Sequence, residues 1–143
     1  MRTTKKRVLF VCIHNSARSQ MAEAFLNQLG GNHFAAESAG LEPGTINPVV
    51  IEAMRESGID LSANATKSVA QMLETKFDYV ITVCDEASAE RCPTFPHGTR
   101  LHWGFPDPSR FEGSFEDKLG RTREVRNAIR EKIGSWLGGS GSG

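Results

Sequence analysis

Val8-Leu9-Phe10-Val11-Cys12-Ile13-His14-Asn15-Ser16-Ala17-Arg18-Ser19 is the stretch on which the fold turns. An apolar, β-prone run ends on a cysteine, and a Cys-x5-Arg-Ser loop leads from it into a helical pattern. A loop of this size can wrap the backbone N–H groups of Ile13, His14, Asn15, Ser16 and Ala17 around one tetrahedral oxyanion. The positive end of the following helix reinforces that cradle. Arg18 can add a bidentate fork to two of the oxyanion oxygens. Cys12 then lies under the central atom as a nucleophile, and the same positive field is expected to lower its pKa. The plain alternative is a buried strand-end cysteine followed by a solvated arginine. The setting between a strand and a helix favours the cradle.

Outward from this stretch, strand and helix signals alternate. Met21, Ala22, Phe25, Leu26 and Leu29 repeat at helical spacing, and Gly30-Gly31 stops them. Phe34 to Ser38 reads as a second strand. Asn47-Pro48 starts a helix with apolar Val49, Val50, Ala53 and Met54. Val69, Met72 and Leu73 mark a shorter amphipathic stretch. Tyr79 to Val83 is a third strand and Leu101 to Trp103 a short fourth. From Phe115 a long helix closes the chain, with Ser114 as cap and Asp117 three residues later. This alternation predicts an α/β domain: a single doubly wound, four-stranded parallel sheet with helices on both faces. In such sheets ligands bind beyond the carboxyl ends of the strands. Cys12 and Cys84 then emerge at the same edge if their strands are neighbours.

The 143 residues suit one domain, taken as 1–137, with the Gly/Ser-rich 138–143 set aside as a flexible tail or cloning scar. Lys and Arg number 17 and Asp and Glu number 17, so no basic field suggests nucleic acid. Basic clusters at Arg2 to Arg7 and Lys118 to Arg130 read as a solvated terminus and the wet face of a helix. No apolar run reaches membrane-span length. Three cysteines are too few and too odd for a disulfide framework, which points to reduced thiols in the cytosol. The small size and neutral charge are compatible with a monomer.

Cys84 and Cys92 flank Asp85-Glu86-Ala87-Ser88-Ala89-Glu90-Arg91, which looks helical. Their separation along a helix is about 12 Å. A disulfide needs Cα atoms within about 7 Å. A bond between them therefore requires the segment to unwind, and Pro93 already disfavours helix at Cys92. The alternative makes Cys84 a core residue and Cys92 an incidental surface thiol. A zinc site joining Cys92 with His97 or His102 fits no spacing pattern. Asp107-Pro108 hangs over the same sheet edge, where an acid could protonate a leaving oxygen; as plain sequence it is a turn. Ser19 could donate to the Cys12 thiolate or simply occupy the first helical turn. Asn15 is positioned to brace the loop, and His14 reads as an exposed loop residue.

Residues 8–23 resemble the active-site segment of arsenate reductases built on the low-molecular-weight protein tyrosine phosphatase fold. The resemblance continues through Glu37-Ser38-Ala39-Gly40-Leu41, Asn47-Pro48, Thr82-Val83-Cys84-Asp85-Glu86-Ala87 and His102 to Pro108. It implies a relay of three thiols. Cys12 attacks arsenic with Asp107 as acid, Cys84 attacks Cys12, and Cys92 attacks Cys84, with thioredoxin as final reductant. It implies no metal and no organic cofactor. Several members are expected to hold a potassium ion near residues matching Asn15, Glu23 and Ser38. Lys67 stands where an acidic side chain would complete that site, so its ammonium is expected to replace the ion; otherwise it is a solvated lysine. The nearest rival is a phosphotyrosine phosphatase, which gives Cys84 and Cys92 no task and typically carries an aromatic residue where Ser109 stands. A third reading is a non-catalytic oxyanion-binding or redox-sensing module.

Overall fold

The computed structural model describes residues 5–93, 95 and 98–139. Its strands are β1 (Lys6–Cys12), β2 (Phe34–Gly40), β3 (Tyr79–Thr82) and β4 (Thr99–His102). Its helices are α1 (Arg18–Gly30), α2 (Pro48–Arg55), α3 (Glu86–Glu90) and α4 (Phe115–Gly139). The four strands form one parallel sheet in the order β2-β1-β3-β4. The doubly wound α/β fold expected from the alternation is therefore present, with β1 and β3 as neighbours.

Alternation along β1 sorts the core onto the two faces of the sheet. Val8, Phe10 and Cys12 join a cluster with Met21, Phe25 and Leu26 of α1 and Val125, Ile129 and Ile133 of α4. Leu9 and Val11 join a second cluster with Val69, Met72, Phe77, Val80 and Cys92. The long helix is pinned to α2 by Glu56, which takes bonds from Arg123 Nη2 (2.7 Å) and Arg126 Nη1 (3.0 Å). No described helix is long and apolar enough to cross a membrane.

Several helix ends follow the residues that suggested them. The Asn47 side chain accepts from the Val49 N–H at 2.9 Å. Ser114 accepts from the Asp117 N–H at 3.1 Å, and Asp117 accepts in return from the Ser114 N–H at 3.2 Å. The amphipathic stretch after Lys67 is only a 3-10 turn, Val69–Met72, closed by a capping box between Ser68 and Gln71. β2 runs on to Gly40, because small Ala39 and Gly40 pair in register with Val11 and Cys12. β4 begins at Thr99, two residues before its apolar pattern, and ends at His102, one residue short of Trp103. It is an exposed edge strand, so its first residues carry no hydrophobic signature. α4 continues through Gly138 and Gly139, past the expected boundary at Leu137; residues 140–143 lie outside the described part.

Candidate active site

The loop after β1 is held from outside by its carbonyls. Leu41 donates to the Cys12 carbonyl (3.1 Å), Glu42 to Ile13 (2.7 Å), Gly44 to His14 (3.0 Å) and Asn47 to Ser16 (3.0 Å). Among the described residues, no backbone N–H from His14 through Arg18 donates to a protein acceptor. Carbonyls turned outward leave these amides to the inner side, which is the arrangement an anion requires. Ala17 caps α1 without a side-chain bond, and its first turn holds no acid to compete for that place. Asn15 adopts a φ of 55°, a left-handed geometry that asparagine tolerates better than most residues. Its buried side chain donates to Ser19 Oγ (2.8 Å) and accepts from the Gln20 side chain (3.1 Å) and the Lys67 N–H (2.9 Å). Gly40 lets the loop lie this close. A Cβ there would come within 2.7 Å of the Asn15 nitrogen and 2.8 Å of the Ile13 oxygen.

Arg18 is 3% exposed. Its Nη1 donates to the Phe105 carbonyl at 3.0 Å, and Nη2 lies 3.5 Å from Asp107 Oδ2. Its Nε is buried without a hydrogen-bond partner among the described residues. An unpaired buried donor costs about 1–3 kcal/mol, and more on a charged group. An oxyanion beside Cys12 would supply the acceptor. Asp107 is aimed by its own turn: Oδ1 accepts from the Ser109 N–H (3.0 Å) and Oγ (2.8 Å), which leaves Oδ2 toward Arg18. The Asp-Pro turn and the site acid are thus the same feature.

Burial is the largest influence on Cys12 and pushes its thiol above the ordinary value; Arg18 and the Ile13 N–H pull it down. This reverses the net lowering expected from the sequence. The positive field is present, but withdrawing the thiol from water outweighs it. Of the two roles open to Ser19, the structure shows the place in the first turn of α1. Ser19 is fully buried and accepts from Asn15, and no described hydrogen bond joins it to Cys12. Its place is in the bracing network of the loop. His14 is exposed, with Nδ1 2.8 Å from the Glu42 carbonyl.

Cys84 lies two residues beyond β3, which stays in step with β1 through a bond from the Val83 N–H to the Val11 carbonyl at 2.9 Å. It is buried in the same cluster as Cys12. Burial first, and then the charge of Cys12, push its pKa up to about 11, against a downward pull from Arg18. All three cysteines are free thiols. Cys92 is no surface thiol: it is 5% exposed and sits on the opposite face of the sheet. Among the described residues no group of three or more His, Cys, Asp or Glu could hold a metal ion. His97 lies outside the described residues, and His102 Nδ1 is engaged with Thr82 Oγ1 at 2.7 Å.

Lys67 closes a network behind the loop. Its ammonium lies 3.8 Å from Glu23 Oε1, which accepts from Ser38 Oγ at 2.7 Å. Its carbonyl accepts from the Gly40 N–H at 2.8 Å. Sequence reading missed Gln20, which donates to both Asn15 and the Ala65 carbonyl (3.1 Å each) and accepts from Asn64 (3.2 Å). A glutamine one residue before the apolar stripe of α1 was the available signal.

The family model for low molecular weight phosphotyrosine protein phosphatase matches residues 7–140. The chain belongs to this family. Within the wider set of similar proteins, an arsenate reductase from Bacillus licheniformis is 42% identical over 131 residues, covering 91% of this chain and 94% of that protein. A solved structure of an arsenate reductase in the phosphate binding state superposes with a TM-score of 0.76 at 30% identity, covering 93% of this chain and 97% of that one. The thioredoxin-dependent arsenate reductase of Corynebacterium glutamicum gives a TM-score of 0.65 at 28% identity, covering 93% of this chain and 64% of that one. The low molecular weight phosphatase fold thus accounts for the sheet and for the anion loop at its edge.

Arg18 is the largest influence lowering the Cys12 pKa. In a Cys84→Ser/Cys92→Ser background, Arg18→Ala should therefore move the pH midpoint of Cys12 alkylation by iodoacetamide upward and slow the reaction at pH 7. Arg18→Lys should recover part of the shift. A midpoint unchanged or lowered in Arg18→Ala would contradict this electrostatic assignment.

Proposed function

We propose that this chain reduces arsenate to arsenite through a relay of Cys12, Cys84 and Cys92, with thioredoxin restoring the dithiol. The observation that carries the reading is the pairing of an anion cradle with a second buried thiol on the same sheet face. Arg18 and the unengaged loop amides bind arsenate, and Cys12 and Cys84 stand at the ends of adjacent parallel strands, which run about 4.8 Å apart. The names of the relatives support the substrate, and the name of the Corynebacterium neighbour supports thioredoxin.

The chemistry balances without a metal or an organic cofactor. Cys12 sulfur bonds to arsenic while its thiol proton is lost. The departing oxygen leaves as water, with Asp107 passing the proton. The net is a thiol and dihydrogen arsenate giving a sulfur–arsenic ester and water. Cys84, having lost its own proton, then attacks Cys12 sulfur. The electron pair of the S–As bond stays on arsenic, which leaves as arsenite, and the two sulfurs are oxidised to a disulfide. Cys92 then attacks Cys84 and releases Cys12, and a dithiol of thioredoxin reduces Cys84–Cys92. The chain works as a monomer in the cytosol in this reading. Weak phosphatase activity is expected alongside, since Cys12, Arg18 and Asp107 suit a phosphate ester too.

Arsenate-dependent NADPH oxidation, coupled through thioredoxin and thioredoxin reductase, tests the relay. Cys84→Ser and Cys92→Ser should both fall to background in multiple turnover while cleaving para-nitrophenyl phosphate at the wild-type rate. Equal reductase rates in all three proteins would make the distal cysteines bystanders and favour the phosphatase reading.

Lys67, joined to Glu23 and to the loop through Asn15, takes the part of a cation behind the cradle. Exchanging sodium for potassium at constant ionic strength should leave kcat/KM for arsenate unchanged. A several-fold rise with potassium would refute this role.

A further inference from the structure

The relay proposed above needs Cys92 to reach Cys84, yet the two lie on opposite faces of the sheet. Between them stands α3, whose N-terminus is capped by Asp85 accepting from the Ser88 N–H at 2.8 Å. Its other end is held by Arg100, a residue of the edge strand β4. Arg100 Nη1 donates to the Cys92 carbonyl at 3.2 Å, and Nη2 donates to the Ala89 carbonyl. The Ala89 carbonyl also accepts from the Cys92 N–H at 3.1 Å, so Arg100 adds a charged donor to the C-terminal turn of this short helix, where a cation is favoured. A weaker tie, Arg91 Nη2 to Glu42 Oε2 at 2.5 Å, joins two exposed side chains and contributes little. The Cys92 side chain belongs to the buried cluster that holds Leu9, Val11, Met72 and Val80, and its Sγ donates weakly to the Pro93 carbonyl at 3.6 Å.

We propose that Arg100 is a positioning residue for the second thiol exchange: its guanidinium holds the end of α3 against β4, keeps Cys92 seated on the far face, and sets the cost of looping out. The exchange itself is Cys92 thiolate attacking Cys84 sulfur, breaking Cys12–Cys84 and releasing Cys12 as thiolate, with no net oxidation. To make this bond Cys92 must leave its seat and both Arg100 bonds must break. The proposal rests on the relay reading, but the hold of Arg100 on Cys92 can be measured without arsenate.

In the fully reduced protein, the iodoacetamide alkylation rate of Cys92 would be followed by peptide mass mapping in wild type, Arg100→Ala and Arg100→Lys. Thermal unfolding would verify that each is folded. Two charge-assisted hydrogen bonds lost from the closed state should raise the rate about tenfold or more in Arg100→Ala. Arg100→Lys, able to keep one of them, should lie between. In a Cys12→Ser background equilibrated with reduced and oxidised dithiothreitol, the Cys84–Cys92 disulfide should be favoured by the same factor. A folded Arg100→Ala with wild-type alkylation and wild-type disulfide equilibrium would overturn the proposal. If Arg100→Ala does not fold, a wild-type rate in Arg100→Lys does so. A wild-type chain that forms no Cys84–Cys92 disulfide at any dithiothreitol ratio would overturn the relay instead, leaving the alkylation rates to judge Arg100.

Discussion

A guanidinium held out of water with one N–H unpaired is the constraint around which the site is organised. Arg18 can be kept there because Phe105 and Asp107 take its two Nη groups. Its Nε has no such relief among the described residues. The loop beneath it is equally one-sided, with carbonyls bonded outward to residues 41–47 and amides left over. Such a site is stabilised by a bound tetrahedral anion and costs stability without one. The bracing by Asn15, Gln20, Gly40 and Lys67 makes sense as the structure that maintains this unfavourable arrangement.

The sheet then determines which thiols can cooperate. Parallel pairing of β1 with β3 delivers Cys12 and Cys84 to one edge and one face. Burial keeps Cys84 protonated, so it is a poor nucleophile until the proton is removed. Cys92 is separated from both by the sheet itself. In the proposed relay the two exchanges therefore differ in kind. The first needs small displacements between neighbouring strand ends, whereas the second needs a helix to come apart.

Much of this was legible in the residues. Cys12, Arg18 and the apolar run before them specified the strand, the loop and the sheet edge, because backbone periodicity and anion chemistry are local properties. Asp107 was legible as an acid at that edge, although its orientation by Ser109 was not. What escaped was long-range. Gln20 contacts residues 64 and 65, and Arg100 contacts 89 and 92, neither of which follows from spacing along the chain. The direction of the Cys12 shift was misjudged because charge can be counted in a sequence and desolvation cannot. The burial of Cys92 was missed for a related reason: a cysteine between arginine and proline carries no pattern that says which face of a sheet will cover it.

The central claim is that Cys84 completes the reduction begun by Cys12. The direct test is to expose reduced Cys92→Ser to arsenate without thioredoxin, quench with acid, and map the thiols by non-reducing peptide mass analysis. A Cys12–Cys84 disulfide, formed together with one arsenite per chain, is the result predicted. Arsenite released with an intermolecular Cys12–Cys12 disulfide and Cys84 still a free thiol, or no arsenite at all from a folded protein, would contradict it.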